Sequence, residues 1–301
     1  MAGRWTAADI PDQGGRNAIV TGANSGLGLV TARELANAGA RVVIAVRNTE
    51  KGELAARQIS DGAVRIEQLD LSDLDSIRSF VKRYRRTTVD LLINNAGVMA
   101  PPRRLTKDGF ESQIGTNHLG HFALTGLLLP KLLKASEPRV VTVSSGAHRM
   151  GTIRFDDLQY EHRYINWLAY GQSKLANLMF CFELQRRASE AGTDLKSMAS
   201  HPGYAATNLQ SAGPARFLEQ IGGKVGNLLF AQSAEMGALP SLYAATVPDL
   251  PGGTFVGPDG FLEQRGYPHI VTAAGKAYDE DAWRRLWMLS EELTGVRYEF
   301  V

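Results

Sequence analysis

The chain has 301 residues, 33 Lys+Arg against 31 Asp+Glu, six His, one Cys and 44% hydrophobic residues. At this length roughly three quarters of the unfolded surface can be buried, so folding needs no disulfide or metal, and one cysteine excludes a disulfide framework and a multi-cysteine zinc site. A formal net charge of +2 gives no electrostatic case for a nucleic-acid or membrane partner.

The opening residues, MAGRWTAADIPDQ, contain no apolar run of signal-peptide length. The longest strongly apolar stretch, Phe122 to Leu129, falls far short of the ~20 residues that span a bilayer. A soluble, cytoplasmic protein without a membrane span is expected.

Short β-branched runs alternate with helical patterns along the chain. Strands are predicted at 17–21, 41–46, 64–69, 89–94, 139–144, 195–200 and 254–257. Several are apolar almost throughout, as suits parallel strands covered on both faces. Residues 26–38 place Leu27, Val30, Leu35 and Ala38 near one stripe. After Ser72, a helix to about Arg86 carries Leu74, Ile77, Phe80, Val81 and Tyr84 at three- and four-residue spacing. Longer helices are expected at 108–134 and 163–191. Residues 202–230 are rich in glycine and read as a flap, and a closing helix at about 279–293 ends at Gly295. This β-α alternation predicts a Rossmann-type, doubly wound parallel α/β sheet of about seven strands with helices on both faces, in a single domain over residues 1–301.

The first strand leads directly into Thr21-Gly22-Ala23-Asn24-Ser25-Gly26-Leu27-Gly28. Glycines let such a turn tighten and let amides approach a pyrophosphate at the following helix N-terminus. The spacing Gly-x-x-x-Gly-x-Gly differs from the common Gly-x-Gly-x-x-Gly. With Asn94-Asn95-Ala96-Gly97 after the fourth strand and Tyr170-Gly171-Gln172-Ser173-Lys174 later, the chain resembles the short-chain dehydrogenase/reductase family over about residues 15–260. Stretches such as VTGANSGLG, NHLGHF, AYGQSKLAN and LSEELTG resemble its retinol dehydrogenase-like branch. Residues 261–301 then form a substrate loop and a C-terminal helix.

Tyr170 and Lys174 are four apart, so on a helix their side chains can meet. A phenol at its ordinary pKa of ~10 is a poor base at neutral pH, and a neighbouring ammonium would lower it. Tyr170 can then give a proton to a carbonyl or take one from an alcohol. The resemblance implies Asn117, Ser145, Tyr170 and Lys174 as catalytic residues, with Ser144 the alternative to Ser145, because an inserted segment at 147–168 separates serine from tyrosine. It also implies that Asn117 kinks its helix and frees a carbonyl for a water leading to Lys174.

For the cofactor, the resemblance implies contacts at Gly22, Asn24, Ser25, Gly26, Leu27 and Gly28, and at Asn94, Ala96 and Gly97. Asp70 and Leu71 would lie at the adenine, with Tyr170, Lys174, Pro202, Gly203 and Thr207 at the nicotinamide. No acid occupies the end of the second strand, where one would bind a ribose 2′-hydroxyl; Arg47 and Asn48 stand there instead. An arginine fork suits a 2′-phosphate, so NADP is expected, with NAD possible because Asn48 or Glu50 can accept from a free hydroxyl.

His118 and His121 are three apart but lack a third ligand, so no metal is expected. Cys181, between two phenylalanines, reads as a buried apolar residue. The substrate expected is a small-molecule alcohol or carbonyl. The apolar residues Phe155, Tyr160, Tyr164, Trp167, Tyr204, Phe217, Leu228, Phe230 and Phe261 suggest a lipophilic or aromatic one. The alternatives are a catalytically silent NAD(P)-binding regulator on the same fold and a sugar-nucleotide epimerase of the extended branch. The former typically loses the tyrosine or lysine kept here; the latter carries a different glycine spacing. A homodimer through the two long helices is expected, unless the extra C-terminal helix covers that surface.

Overall fold

A computed structural model describes residues 4–59, 64–204 and 232–300. Eight strands form one sheet in the order β3-β2-β1-β4-β5-β6-β7-β8. These are β1 (Asn17–Thr21), β2 (Arg41–Val46), β3 (Val64–Gln68), β4 (Leu91–Asn94), β5 (Arg139–Val143), β6 (Lys196–Ser200), β7 (Phe255–Pro258) and β8 (Pro268–Ile270). Seven run parallel; β8 pairs antiparallel with β7. The sequence pattern predicts seven strands and misses β8, whose three residues are too few for any period to emerge.

Helices α1 (Gly26–Asn37), α2 (Thr49–Ala56), α3 (Leu74–Arg83), α4 (Ser112–Ile114), α5 (Gly120–Leu132), α6 (Asn166–Glu190), α7 (Ala234–Thr246) and α8 (Glu280–Thr294) complete the described chain. A π-helical turn, Gly115–Leu119, joins α4 to α5. The cap of α3 is Asp73, whose carboxylate accepts from Asp75 N and Ser76 N, rather than Ser72. Gly295, at φ 64, ends α8 as the pattern predicts. Two helices escape the sequence reading. In α2, Gly52 sits where a Cβ would come within 2.8 Å of Val46 and 2.9 Å of Ile66. In α7, Gly237 and Pro240 interrupt the pattern, and burial nearly all round leaves no polar stripe.

Alternate residues of the strands feed two cores, one on each face of the sheet. Ile19, Val43, Leu92 and Val140 pack with Ile77 and Phe80 of α3, Phe122 and Leu128 of α5 and Phe180 of α6. Val20, Ile44, Ile93 and Val141 pack with Val30 and Leu35 of α1 and Leu242 of α7. Parallel pairing brings Thr21, Asn94, Val143 and Ser200 to one edge of the sheet, with the order reversing between β1 and β4. Ligands bind beyond the carboxyl ends of such strands, at such a switch point.

Candidate active site

On the nucleotide side, Gly22 (φ 68) and Gly26 (φ 56) hold conformations that favour glycine. Gly22 and Gly28 are also needed for packing: a Cβ would lie 2.9 Å from Ala96 and 2.5 Å from Asn95 Nδ2, respectively. The side chain of Ser25, the N-cap of α1, makes no capping bond, and the first turn holds no acid. First-turn amides with no side-chain cap fit an anionic group such as a pyrophosphate. Asn24 and Leu27 flank this turn, half-buried. Arg47 is exposed and makes no ion pair among the described residues. Asn48 caps α2, its Oδ1 accepting from Lys51 N at 2.9 Å, so that oxygen is already engaged. The Asp70 carboxylate accepts from Ser72 N and Oγ at 2.9 and 2.6 Å, a turn staple beside the buried Leu71.

The Asn94 side chain is buried and donates to Thr125 Oγ1 at 3.1 Å. Asn95 does the holding at this turn, donating through Nδ2 to Thr21 O at 2.8 Å. Ala96 N donates to Thr21 Oγ1 at 3.0 Å. A Cβ on Gly97 would lie 3.0 Å from Asn117 Oδ1 and 3.6 Å from Lys174 Nζ, so this glycine sits directly beside the catalytic candidates.

Those candidates come together. Ser145 lies close enough to the Tyr170 phenol to act on its proton affinity, and Lys174 Nζ stands 5.7 Å from the Tyr170 ring centre while donating to Val143 O at 3.0 Å. Asn117 closes the group: its amide accepts from Val98 N at 2.8 Å and donates to Val98 O at 3.0 Å and to Ser173 Oγ at 2.9 Å. The other serine, Ser144, is engaged by the helix: its Oγ donates to the main-chain oxygen of Lys174 at 2.8 Å.

Two expectations change here. Burial pushes the Tyr170 phenol up to about 12, with Ser145 opposing, and pulls Lys174 down to about 8. The protein's own groups thus favour the phenol, the acid form, rather than the phenolate expected from an adjacent ammonium. The helix around Asn117 does loosen, as the π turn, but its carbonyl already accepts from His121 Nδ1 at 3.0 Å.

The roof departs further from the sequence reading. Phe155 lies under Arg285, Tyr160 is buried under Arg154, and Tyr164 bonds Glu111 and Gln113. These aromatics fasten the inserted segment. Trp167 reaches the site, its ring near-perpendicular to that of Tyr170 at 6.0 Å. Phe261 is 84% exposed. Thr207, Phe217, Leu228 and Phe230 lie outside the described residues. The turn at Pro202 and Gly203 (φ 64) is pinned by Tyr204 N, which donates to Gln264 O at 2.7 Å.

Two groups missed by the sequence reading support this side. His148 Nδ1 donates to Ser145 O at 2.7 Å, and burial lowers the histidine to about 4. The Glu263 carboxylate accepts from Arg149 Nη2 at 2.9 Å and lies 3.0 Å from His201 Nε2, tying the loop after β7 to the ends of β5 and β6. The spacing of His148 from Ser145 was available as a signal for the first; nothing local signals the second.

The face of α5 and α6 expected to pair two copies is occupied. Trp287 of α8 packs edge-on to Phe122 at 5.0 Å and stacks on Phe180 at 5.9 Å. Tyr298 OH donates to Phe122 O at 2.6 Å, and its ring fills the notch at Gly126. No helix of the described residues is long and apolar enough to cross a membrane, and those residues hold no metal-ligating cluster.

Comparison with known proteins agrees with this geometry. The family described as short chain dehydrogenase matches residues 16–215. Retinol dehydrogenase 12 of Mus musculus is 41% identical over 302 residues, spanning 98% of this chain and 90% of that one. Retinol dehydrogenase 13 of Homo sapiens is 41% identical over 299 residues, spanning 96% and 86%. A crystal structure of an uncharacterized protein of Mycobacterium paratuberculosis superposes with a TM-score of 0.84 at 50% identity, covering 99% of this chain and all of that one. A Shigella flexneri short chain dehydrogenase complexed with NADP shares the fold at a TM-score of 0.63 and 22% identity, covering 82% and 97%.

Proposed function

This chain belongs to the short-chain dehydrogenase family, in its retinol dehydrogenase-like branch, and is an oxidoreductase that interconverts an alcohol and a carbonyl; from that premise we propose that it works with NADP(H) on a lipophilic or aromatic substrate. The observation that carries the reading is the grouping of buried Tyr170 and Lys174 with half-buried Ser145 at the carboxyl ends of β4 and β5. The first-turn amides of α1 would hold the pyrophosphate, Arg47 the 2′-phosphate, Asp70 and Leu71 the adenine, and Pro202, Gly203 and Thr207 the nicotinamide. When bound, the nicotinamide supplies or takes up the hydride.

The chain's own residues manage the proton. Ser145 and the Tyr170 phenol, side by side, are placed to hold the substrate oxygen between two hydroxyls. A phenol held near 12 is a donor at neutral pH, so in reduction Tyr170 protonates the oxygen as it gains charge. Lys174, over the same ring, faces the phenolate that is left. Asn117 fixes the Val98 backbone and Ser173, holding the helix that carries both groups. Trp167 offers an aromatic edge beside the phenol, which supports an apolar substrate, as do relatives named retinol dehydrogenases.

A cytoplasmic location goes with this reading, supported by a lone, free, buried cysteine, Cys181. The expected homodimer must use a surface other than the α5–α6 face that α8 covers. Titrating the purified protein with NADPH and NADH, then screening lipophilic and aromatic carbonyls, tests the reading. Tighter NADPH binding and turnover of such a carbonyl are expected. Equal or tighter NADH binding overturns the cofactor preference, and cofactor binding with no turnover of any substrate indicates the silent regulator.

A further inference from the structure

Two histidines, His118 and His121, are both buried, three residues apart, and have different partners. His118 Nε2 lies 2.9 Å from Ser290 Oγ, whose own proton goes to Leu286 O at 2.7 Å, so the ring donates and His118 fastens α8. His121 sits among polar groups instead. Its Nδ1 is 3.0 Å from the main-chain oxygen of Asn117, and an oxygen that can only accept fixes a proton on Nδ1. Burial lowers the ring to about 4 and keeps it neutral, so Nε2 carries a lone pair and faces Thr21 Oγ1 at 2.9 Å. Of the two acceptors in reach, Nε2 at 2.9 Å is nearer to the threonine hydroxyl than Ile93 O at 3.3 Å, so the proton goes to Nε2. Thr21 Oγ1 in turn accepts from the amides of Asn95 and Ala96, each at 3.0 Å.

We propose that His121 is a positioning residue for the reaction, one imidazole tying the end of β1 and the Asn95–Ala96 turn, on the nucleotide side, to the Asn117 backbone, on the catalytic side. Thr21 directly precedes the glycine turn, so its hydroxyl sets where the turn leaves the sheet. Asn117 lies in the π turn, where the helix is wider than its α-helical neighbours, and its side chain holds Val98 and Ser173. Without the imidazole, a buried hydroxyl and a carbonyl would lose partners at the two ends of the site together.

This role rests on the activity proposed above, so its test includes readouts that need no turnover. The 15N shifts of the His121 ring in the ligand-free protein should report a protonated Nδ1 and a bare Nε2; the opposite tautomer overturns the assignment. Two amide substitutions then divide the contacts. His121→Asn can still donate to the Asn117 carbonyl but is too short to reach Thr21, whereas His121→Gln can accept from Thr21 but no longer donates to Asn117. NADPH titration, kcat and the thermal midpoint are measured for both. His121→Asn is expected to weaken NADPH about tenfold with kcat within about threefold of wild type, and His121→Gln to do the reverse. If both variants lose affinity and kcat in parallel with their thermal midpoints, His121 is packing alone and the proposal falls. If the wild-type protein binds NADPH but turns over nothing, the activity proposed above fails, while the affinity arm still decides the role of His121.

Discussion

The two sides of the site are built from different materials. On the nucleotide side the chain presents backbone and absent side chains: Gly22 and Gly26 in the left-handed region, uncapped amides at the start of α1, and an exposed Arg47. On the catalytic side it presents buried side chains, Tyr170 pushed up to about 12 and Lys174 pulled down to about 8. A backbone cradle holds a ligand without tuning a proton, whereas desolvation of side chains tunes protons at the cost of burying polar groups. Binding and chemistry should therefore respond separately to substitution.

The largest expected separation comes from Tyr170→Phe. It keeps the ring and removes the transferable proton, so turnover should fall by about 10²–10⁴-fold with NADPH affinity nearly unchanged. Wild-type turnover in this variant, measured on any accepted carbonyl, removes Tyr170 from the chemistry.

Arg47→Ala probes the opposite side. Loss of a charge-assisted fork should weaken NADPH by about ten- to a hundredfold and leave NADH and the kcat at saturation almost unaffected. A matching loss for both cofactors, by titration, would place Arg47 at the adenine rather than at a 2′-phosphate.

The smallest effect is graded with pH. Burial lowers Lys174 from its ordinary value to about 8, so the side chain is charged below that pH and neutral above it. If the ammonium supports the phenolate left after proton donation, carbonyl reduction at saturating cofactor should decline above pH 8, approaching about tenfold per unit. A rate that stays level to pH 9.5 shows that the charge on Lys174 is not required.

The sequence was most informative where chemistry is written locally. Tyr170 and Lys174 fall on one face because both belong to one helix, and the glycine turn follows its strand without a gap. It gave no sign that the Asn94 side chain donates to Thr125, thirty-one residues away. It misled over the aromatics of the inserted segment, which read as pocket lining because composition cannot tell a ring facing a ligand from one facing Arg154 or Arg285. Nothing local separated Ser144 from Ser145; in the fold the Ser144 hydroxyl donates to the Lys174 carbonyl and Ser145 lies beside the Tyr170 phenol.

By itself, the sequence determined the parallel α/β architecture, the order of its first seven strands along the chain and the pairing of Tyr170 with Lys174. Each follows from hydrophobic period or from residues within one turn of helix, and both are short-range properties. Only the tertiary structure decided which way Asn94 and Ser144 point, that β8 closes the far edge and that Glu263 clasps three segments. It also decided that α8 covers the α5–α6 face and that His121 joins Thr21 to Asn117. Thr21 and His121 are one hundred residues apart and Arg149 and Glu263 one hundred and fourteen. Contacts at such separations depend on how the sheet brings strand ends together, which no local pattern encodes.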